Sequence, residues 1–172
     1  MTWNSRGLTK LELLICIGMV SVLAVSGAAG WRHLVPAYRL DVCVRGLYTV
    51  MQVARIRSIR DNTVVTVKLD ARKHRYEAFV DDGSGHGATA KNGIRESQER
   101  LILSRSMPPG IEVHRITFPA KRLRFNSRGI PQGGGSFYLK NAREQYLGIS
   151  VGFSGSITIK TSTNGGRTWI KL

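Results

Sequence analysis

Nineteen consecutive residues without a charge, Leu13 to Trp31, follow directly on Arg6-Gly7-Leu8-Thr9-Lys10-Leu11-Glu12 in this 172-residue chain. A run of that length can cross a bilayer as one helix, so whatever follows must be a domain carried by a hydrophobic segment. Ser21 and Ser26 are its only hydroxyl-bearing residues, and Arg32 and His33 close it. Glu12 stands at its margin. A carboxylate costs about 2.5 to 3.5 kcal/mol at the centre of an inserted helix, so one kept beside such a run calls for a partner. The competing reading is a secretory signal peptide, with Arg6 and Lys10 as its positive start and Ser26-Gly27-Ala28 as a cleavage site that leaves Ala29 near the mature start. Glu12 argues against that reading, and so does a run longer than the usual apolar core of about 7 to 15 residues.

Gly7-Leu8-Thr9-Lys10-Leu11-Glu12-Leu13-Leu14 resembles the class III leader of type IV pilins and type II secretion pseudopilins. The resemblance implies that prepilin peptidase cuts between Gly7 and Leu8, that the new N-terminus at Leu8 is methylated, and that Glu12 is the residue that sets register during assembly. Leu8 replaces the family's usual phenylalanine, and Lys10 a usually apolar residue. Cleavage would create an amine four residues before Glu12, and a carboxylate in a low-dielectric setting gains from such a cation. In the family the partner is the N-terminus of a neighbouring subunit; an intrachain pair at i, i+4 is the alternative. Ser26 and Gly30 have the small-xxx-small spacing that lets helices approach closely. The implied location is the bacterial inner membrane, single-pass, with the C-terminal domain periplasmic. A long domain translocates largely regardless of its charge.

Of the 26 basic and 11 acidic side chains, 24 and 10 follow Trp31, so nearly all of the +15 balance belongs to the domain. Such an excess points to a polyanion partner or to a solvated basic surface. Cys16 and Cys43 would lie about 40 Å apart on one helix and cannot pair within it.

Beyond Pro36, apolar residues recur at Leu40, Val44, Leu47, Met51 and Ala54, the stripe of an amphipathic helix ending near Asp61-Asn62, with Cys43 off that stripe. The period then changes to two. Val64–Leu69 and Arg75–Val80 predict a hairpin, with further strands near 111–118, 122–126, 136–140, 146–153, 156–161 and 167–171. Pro108-Pro109-Gly110, Gly133-Gly134-Gly135 and Asn164-Gly165-Gly166 separate them, and residues from Asp81 to about Gln98 read as a polar, Gly-rich loop. Leu47, Ala54-Arg55, Ser58-Ile59, Asn62 and Val64 are similar to the helix-to-first-strand signature of GspH/FimT-type minor pilins. Phe79-Val80-Asp81-Asp82-Gly83, Leu101, Met107-Pro108-Pro109-Gly110-Ile111 and Leu123-Arg124-Phe125-Asn126-Ser127-Arg128-Gly129 continue it in the family's order. The fold class is therefore α+β and type IV pilin-like: a long N-terminal helix packed on a C-terminal antiparallel β-sheet domain. The expected organisation is a leader at 1–7, a transmembrane and assembly half-helix at 8–31, an amphipathic half at 32–62 and a β-rich domain at 63–172.

No catalytic residues, metal ligands or cofactors are expected. His33, His74, His86 and His114 are scattered, and Gly152-Phe153-Ser154-Gly155 is not a nucleophile elbow. Counting Asp82 as the first position of a calcium loop puts Gly93 where a bidentate Glu is needed. No Gly-Lys-Ser/Thr follows for a phosphate loop, so the segment from Asp81 to Gly87 reads as a flexible turn. Alternation places Arg122 and Arg124 on one strand face, with Arg128 at the turn and Arg115 and Lys121 nearby. Some FimT-type pilins take up DNA through a Gly-Arg-x-Arg motif; the corresponding place here is Gly155-Ser156-Ile157-Thr158, without either arginine. DNA binding would have to use Arg122, Arg124, Arg128, Lys160 or Arg167. The expected function is a minor pilin or pseudopilin subunit of a type IV pilus or type II secretion pseudopilus. Its expected partners are other pilins or pseudopilins, prepilin peptidase and the inner membrane. The alternatives are a pilus-displayed DNA-binding protein for DNA uptake and a secreted basic enzyme.

Overall fold

The computed structural model describes residues 9–84, 89–96 and 98–172, with the side chains of 27–33 left out. The chain divides into two units, 1–35 and 36–172. Helix α1 runs Lys10–Arg60. Nine strands follow: β1 (Val65–Asp70), β2 (Arg75–Val80), β3 (Leu101–Ser106), β4 (Ile111–Ile116), β5 (Arg122–Phe125), β6 (Gly135–Asn141), β7 (Tyr146–Val151), β8 (Ile157–Ser162) and β9 (Ile170–Lys171). They form two antiparallel sheets, one ordered β3-β2-β1-β5 and the other β4-β6-β7-β8-β9.

Within the second unit, Leu40, Val44, Leu47, Met51 and Ala54 are all buried against residues of both sheets, among them Val67, Leu123, Phe125, Phe137, Leu139 and Ile149. Cys43 and Val50 are buried as well. That corrects the expectation that Cys43 lies off the stripe: a helix packed by two sheets hides a wider arc than one packed by a single sheet. The helix ends where Asn62 takes a positive φ of 48°. There the Thr63 amide donates to the Ser58 carbonyl and the Asn62 amide to that of Ile59, the paired bonds of a Schellman stop.

The predicted hairpin forms with Val65 opposite Val80 and Asp70 opposite Arg75. Its turn is tied by the Asp70 carboxylate, which accepts from the Arg72 and Lys73 amides. In the turn after β5, Asn126 plays the same part for the amides of Arg128 and Ile130. Gly129 has φ 72°, and a Cβ there would come within 2.6 Å of the Ile59 side chain. The Asn126-to-Gly129 signature is therefore a turn that presses on the helix.

Three findings differ from the sequence expectations. β3 lies where no strand is predicted; it is a sheet edge whose residues are mostly exposed, so it carries no inside-outside alternation to read. β2 is buried along nearly its whole length on both faces, and the described part of the connection after it is tied to β1 through Asp81. The predicted strand at 167–171 shortens to the two residues of β9.

Burial pushes the Cys43 thiol up to about 11 from an ordinary 9.0. The unfolded thiol ionises first, so stability is full below pH 9.0 and is lost as the pH rises towards about 11. Urea denaturation of the protein across that range should show the decline, and Cys43→Ala should diminish it.

Candidate functional site

The first unit is described from Thr9. Thr9 caps α1: its hydroxyl accepts from the Glu12 amide at 3.2 Å, while Glu12 Oε2 accepts from the Thr9 amide and hydroxyl, both at 3.0 Å. This reciprocal arrangement is a capping box, and its Thr-x-x-Glu signature is present in the sequence at Thr9-Lys10-Leu11-Glu12. The carboxylate thus satisfies helix-start donors within its own chain.

After that start, residues 10–26 are exposed on every side. Leu11 is 70% exposed, Leu14 72%, Leu23 72% and Val25 73%. The Ser21 and Ser26 hydroxyls donate back to the carbonyls of Ile17 and Val22 at 2.7 and 2.9 Å, so neither presents an unmet donor. Among the described residues no helix is long and apolar enough to cross a membrane. The uncharged run of the sequence continues through residues 27–31, whose side chains are not among those described. Gly7 and Leu8, the expected cleavage and methylation positions, lie outside the described residues, as does His86.

The basic candidates fall on both sheets of the second unit. Arg122 and Arg124 share one face of β5, as alternation predicts. They are engaged within the chain. Arg122 Nη1 donates to the Asn92 carbonyl, and Arg124 donates to the Lys91 carbonyl at 2.6 Å and to Gln132 Oε1 at 3.0 Å. Arg124 Nε also lies 3.9 Å from the buried Asp81 carboxylate, whose Oδ2 accepts from the Thr66 hydroxyl at 2.7 Å and the Gly93 amide at 2.9 Å. A Cβ on Gly93, where φ is 66°, would run into the Arg122 guanidinium.

Glu99, also buried, accepts from the Gly83 and Glu96 amides, and Glu96 from the Thr89 amide and the Asn92 side chain. Of the segment expected to be a flexible turn, 81–84 is therefore fastened through Asp81, Asp82 and Glu99, while 85–88 lie outside the described residues. The carboxylates that tie this connection carried no motif in the sequence; only their later convergence identifies them.

Arg128 is exposed in the turn after β5, Lys160 is half-buried on β8, and Arg167 is exposed between β8 and β9. These three are not joined to Arg122 and Arg124 in one stripe. Arg115 and Lys121 instead line an open cleft of about 680 Å³ with Lys68 and Arg72. At Gly155-Ser156-Ile157-Thr158, the Gly155 carbonyl accepts from Arg55 of the helix at 3.0 Å, which gives the Ala54-Arg55 signature a structural role. No group of three or more potential metal ligands occurs among the described residues.

Residues 44–166, from the buried half of the helix to the end of the second sheet's loops, match the family described as type II transport protein GspH. The chain belongs to the GspH family. The same fold occurs in the minor pseudopilin EpsH from the type 2 secretion system of Vibrio cholerae, with TM-score 0.52 and 12% identity over 69% of this chain and 94% of that one. It occurs also in the type IV minor pilin FimU of Pseudomonas aeruginosa, with TM-score 0.56 and 10% identity over 75% and 96%. No curated protein sequence matches this GspH-family chain. The α+β, pilin-like architecture and the minor pilin or pseudopilin family are thus as the sequence led one to expect.

Asp81→Ala would leave the Gly93 amide, the Thr66 hydroxyl and Arg124 without their shared acceptor, at a cost of about 2 to 3 kcal/mol. The expected outcome is a lower melting temperature together with faster tryptic cleavage after Lys91 and Arg95 than in the parent protein.

Proposed function

We propose that this chain is a minor pilin or pseudopilin subunit, cut by prepilin peptidase between Gly7 and Leu8, methylated at Leu8, and built through its N-terminal helix into a type IV pilus or type II secretion pseudopilus. The observation that carries the reading is the segment Thr9 to Ser26: a helix capped at Thr9, apolar on all sides from Leu13 onward, with its serine hydroxyls satisfied internally. Ahead of a GspH-family domain, such a helix serves as an inner-membrane anchor before assembly and as packing surface among other pilin helices afterwards.

Glu12 then has two successive partners. In the free subunit it completes the cap with Thr9. In the assembled one its carboxylate pairs with the N-terminal amine of a neighbour, where a low dielectric makes the charge matter most.

A second reading, DNA held on the displayed domain, draws support from the open cleft between the sheets. Its Arg72, Arg115 and Lys121 form no ion pair or hydrogen bond through their side chains among the described residues. In that reading the phosphate-binding cations are those of the cleft rather than Arg122 and Arg124. Electrophoretic shifts with duplex DNA should then weaken steeply with salt and be lost in the triple alanine variant of Arg72, Arg115 and Lys121. Absence of a shift at low salt removes this reading.

The assembly reading is tested on the membrane-extracted protein, whose N-terminal sequence should begin at methylated Leu8; a start near Ala29 would sink it. Glu12→Gln keeps the capping box but not the charge. It and Glu12→Val should both be processed and both fail to enter the filament, whereas normal incorporation of Glu12→Gln would restrict Glu12 to its capping role.

A further inference from the structure

The face of the second sheet turned away from the helix carries a small pocket that the assembly reading does not use. Its volume is about 350 Å³, within the range of sites that hold one small ligand. Cross-strand register builds it: Ser136 of β6, Ser150 of β7 and Thr158 of β8 stand side by side in one row, with Lys160 two residues further along β8 on the same face. Ser156, from the turn before β8, adds another hydroxyl to the wall. The Ser136 and Ser150 hydroxyls lie 2.6 Å apart, so they share one proton between them and leave the other free to face the pocket.

Glycines make the floor. Gly134, Gly135 and Gly152 line the pocket, so backbone rather than side chain is what a ligand meets there. Phe153 closes one side. Its ring rests against Gly134, where a Cβ would lie 3.3 Å from it, and yet the residue is 78% exposed. An aromatic ring so exposed, beside a pocket otherwise lined mostly by glycines, hydroxyl-bearing residues and a lysine, offers a flat apolar surface to something. Lys160 is half-buried, its side chain forms no hydrogen bond or ion pair among the described residues, and no described carboxylate lines the pocket.

The composition of these walls selects a ligand. A neutral ligand would leave the Lys160 ammonium without a counter-charge in a partly desolvated place. A nucleic-acid strand brings one charge per nucleotide and wants cations in proportion; the pocket supplies a single one. Several hydroxyls, one cation and one exposed ring suit a polyhydroxylated ring bearing a single negative charge. From these observations we infer that the pocket is a binding site for an acidic sugar, a uronate or sialate residue of a glycan. Its carboxylate sits on Lys160, its hydroxyls on Ser150, Ser156 and Thr158, and its apolar face on Phe153. This site is independent of how the N-terminal helix is processed or packed.

The test uses the full-length protein in detergent on an array of uronate- and sialate-terminated oligosaccharides, their neutral counterparts and a single-stranded oligonucleotide. Acidic glycans should be retained and neutral ones not, and the retained glycan is then titrated calorimetrically. Lys160→Met should weaken its binding by about tenfold or more, the scale of a lost charge-assisted hydrogen bond. Phe153→Ala, at an exposed position, should weaken it by about two- to tenfold with an unchanged melting temperature. Retention of no acidic glycan overturns the assignment, as does binding that both variants leave intact. Retention of the oligonucleotide alone overturns it too and transfers the face to nucleic acid.

Discussion

The domain depends on burying one face of the second half of α1. Leu40, Cys43, Val44, Leu47, Val50, Met51 and Ala54 supply a continuous apolar wall, and both sheets close on it. Residues of both sheets meet in one cluster around this wall, so the helix joins a four-stranded and a five-stranded sheet into one core. The contacts that adjust this packing come from outside the apolar stripe. Gly129 allows the turn after β5 to press on Ile59, and Arg55 reaches the Gly155 carbonyl of the turn before β8.

A second constraint concerns charge. With 26 basic residues against 11 acidic, carboxylates are scarce, and the structure spends them internally. Asp70, Asp81, Asp82, Glu96 and Glu99 accept backbone amides in turns and in the 81–99 connection, and Asp61 gathers Arg57, Arg60 and Arg100 at the helix end. Hydrogen bonds onto a carboxylate also hold its pKa down, as the Lys73 and Arg72 amides do for Asp70. The cations in excess are left to the surface. The domain's strongly basic exterior is thus the counterpart of acidic residues used as internal ties.

Much of this was legible before any coordinates. The change of hydrophobic period from 3.6 to 2 near Asn62 separates helix from sheet, and the turn residues at Pro108-Pro109-Gly110, Gly133-Gly134-Gly135 and Asn164-Gly165-Gly166 fall between strands as expected. What stayed illegible has physical reasons. An exposed edge such as β3 lacks alternation, because neither of its faces is fully buried. Arg122 and Arg124 read as a solvent-facing stripe, since alternation tells only that they point away from the core. It does not tell that a connection thirty residues earlier folds over them and takes their donors. The Ser136-Ser150-Thr158 row belongs to three strands, and its residues are ordinary one by one.

The sequence by itself determined the order of the parts: a capped apolar helix, an amphipathic continuation and a β domain, because those depend on local periodicity, capping and turn residues. Its leader-like residues and signature order also carried the family. Only the tertiary structure decided which charges are free and which are consumed, where the two sheets divide, and which hydroxyls share a pocket with Lys160 and Phe153. Those outcomes rest on contacts between residues far apart in the chain, and burial and pairing of a side chain are properties of its neighbours in space.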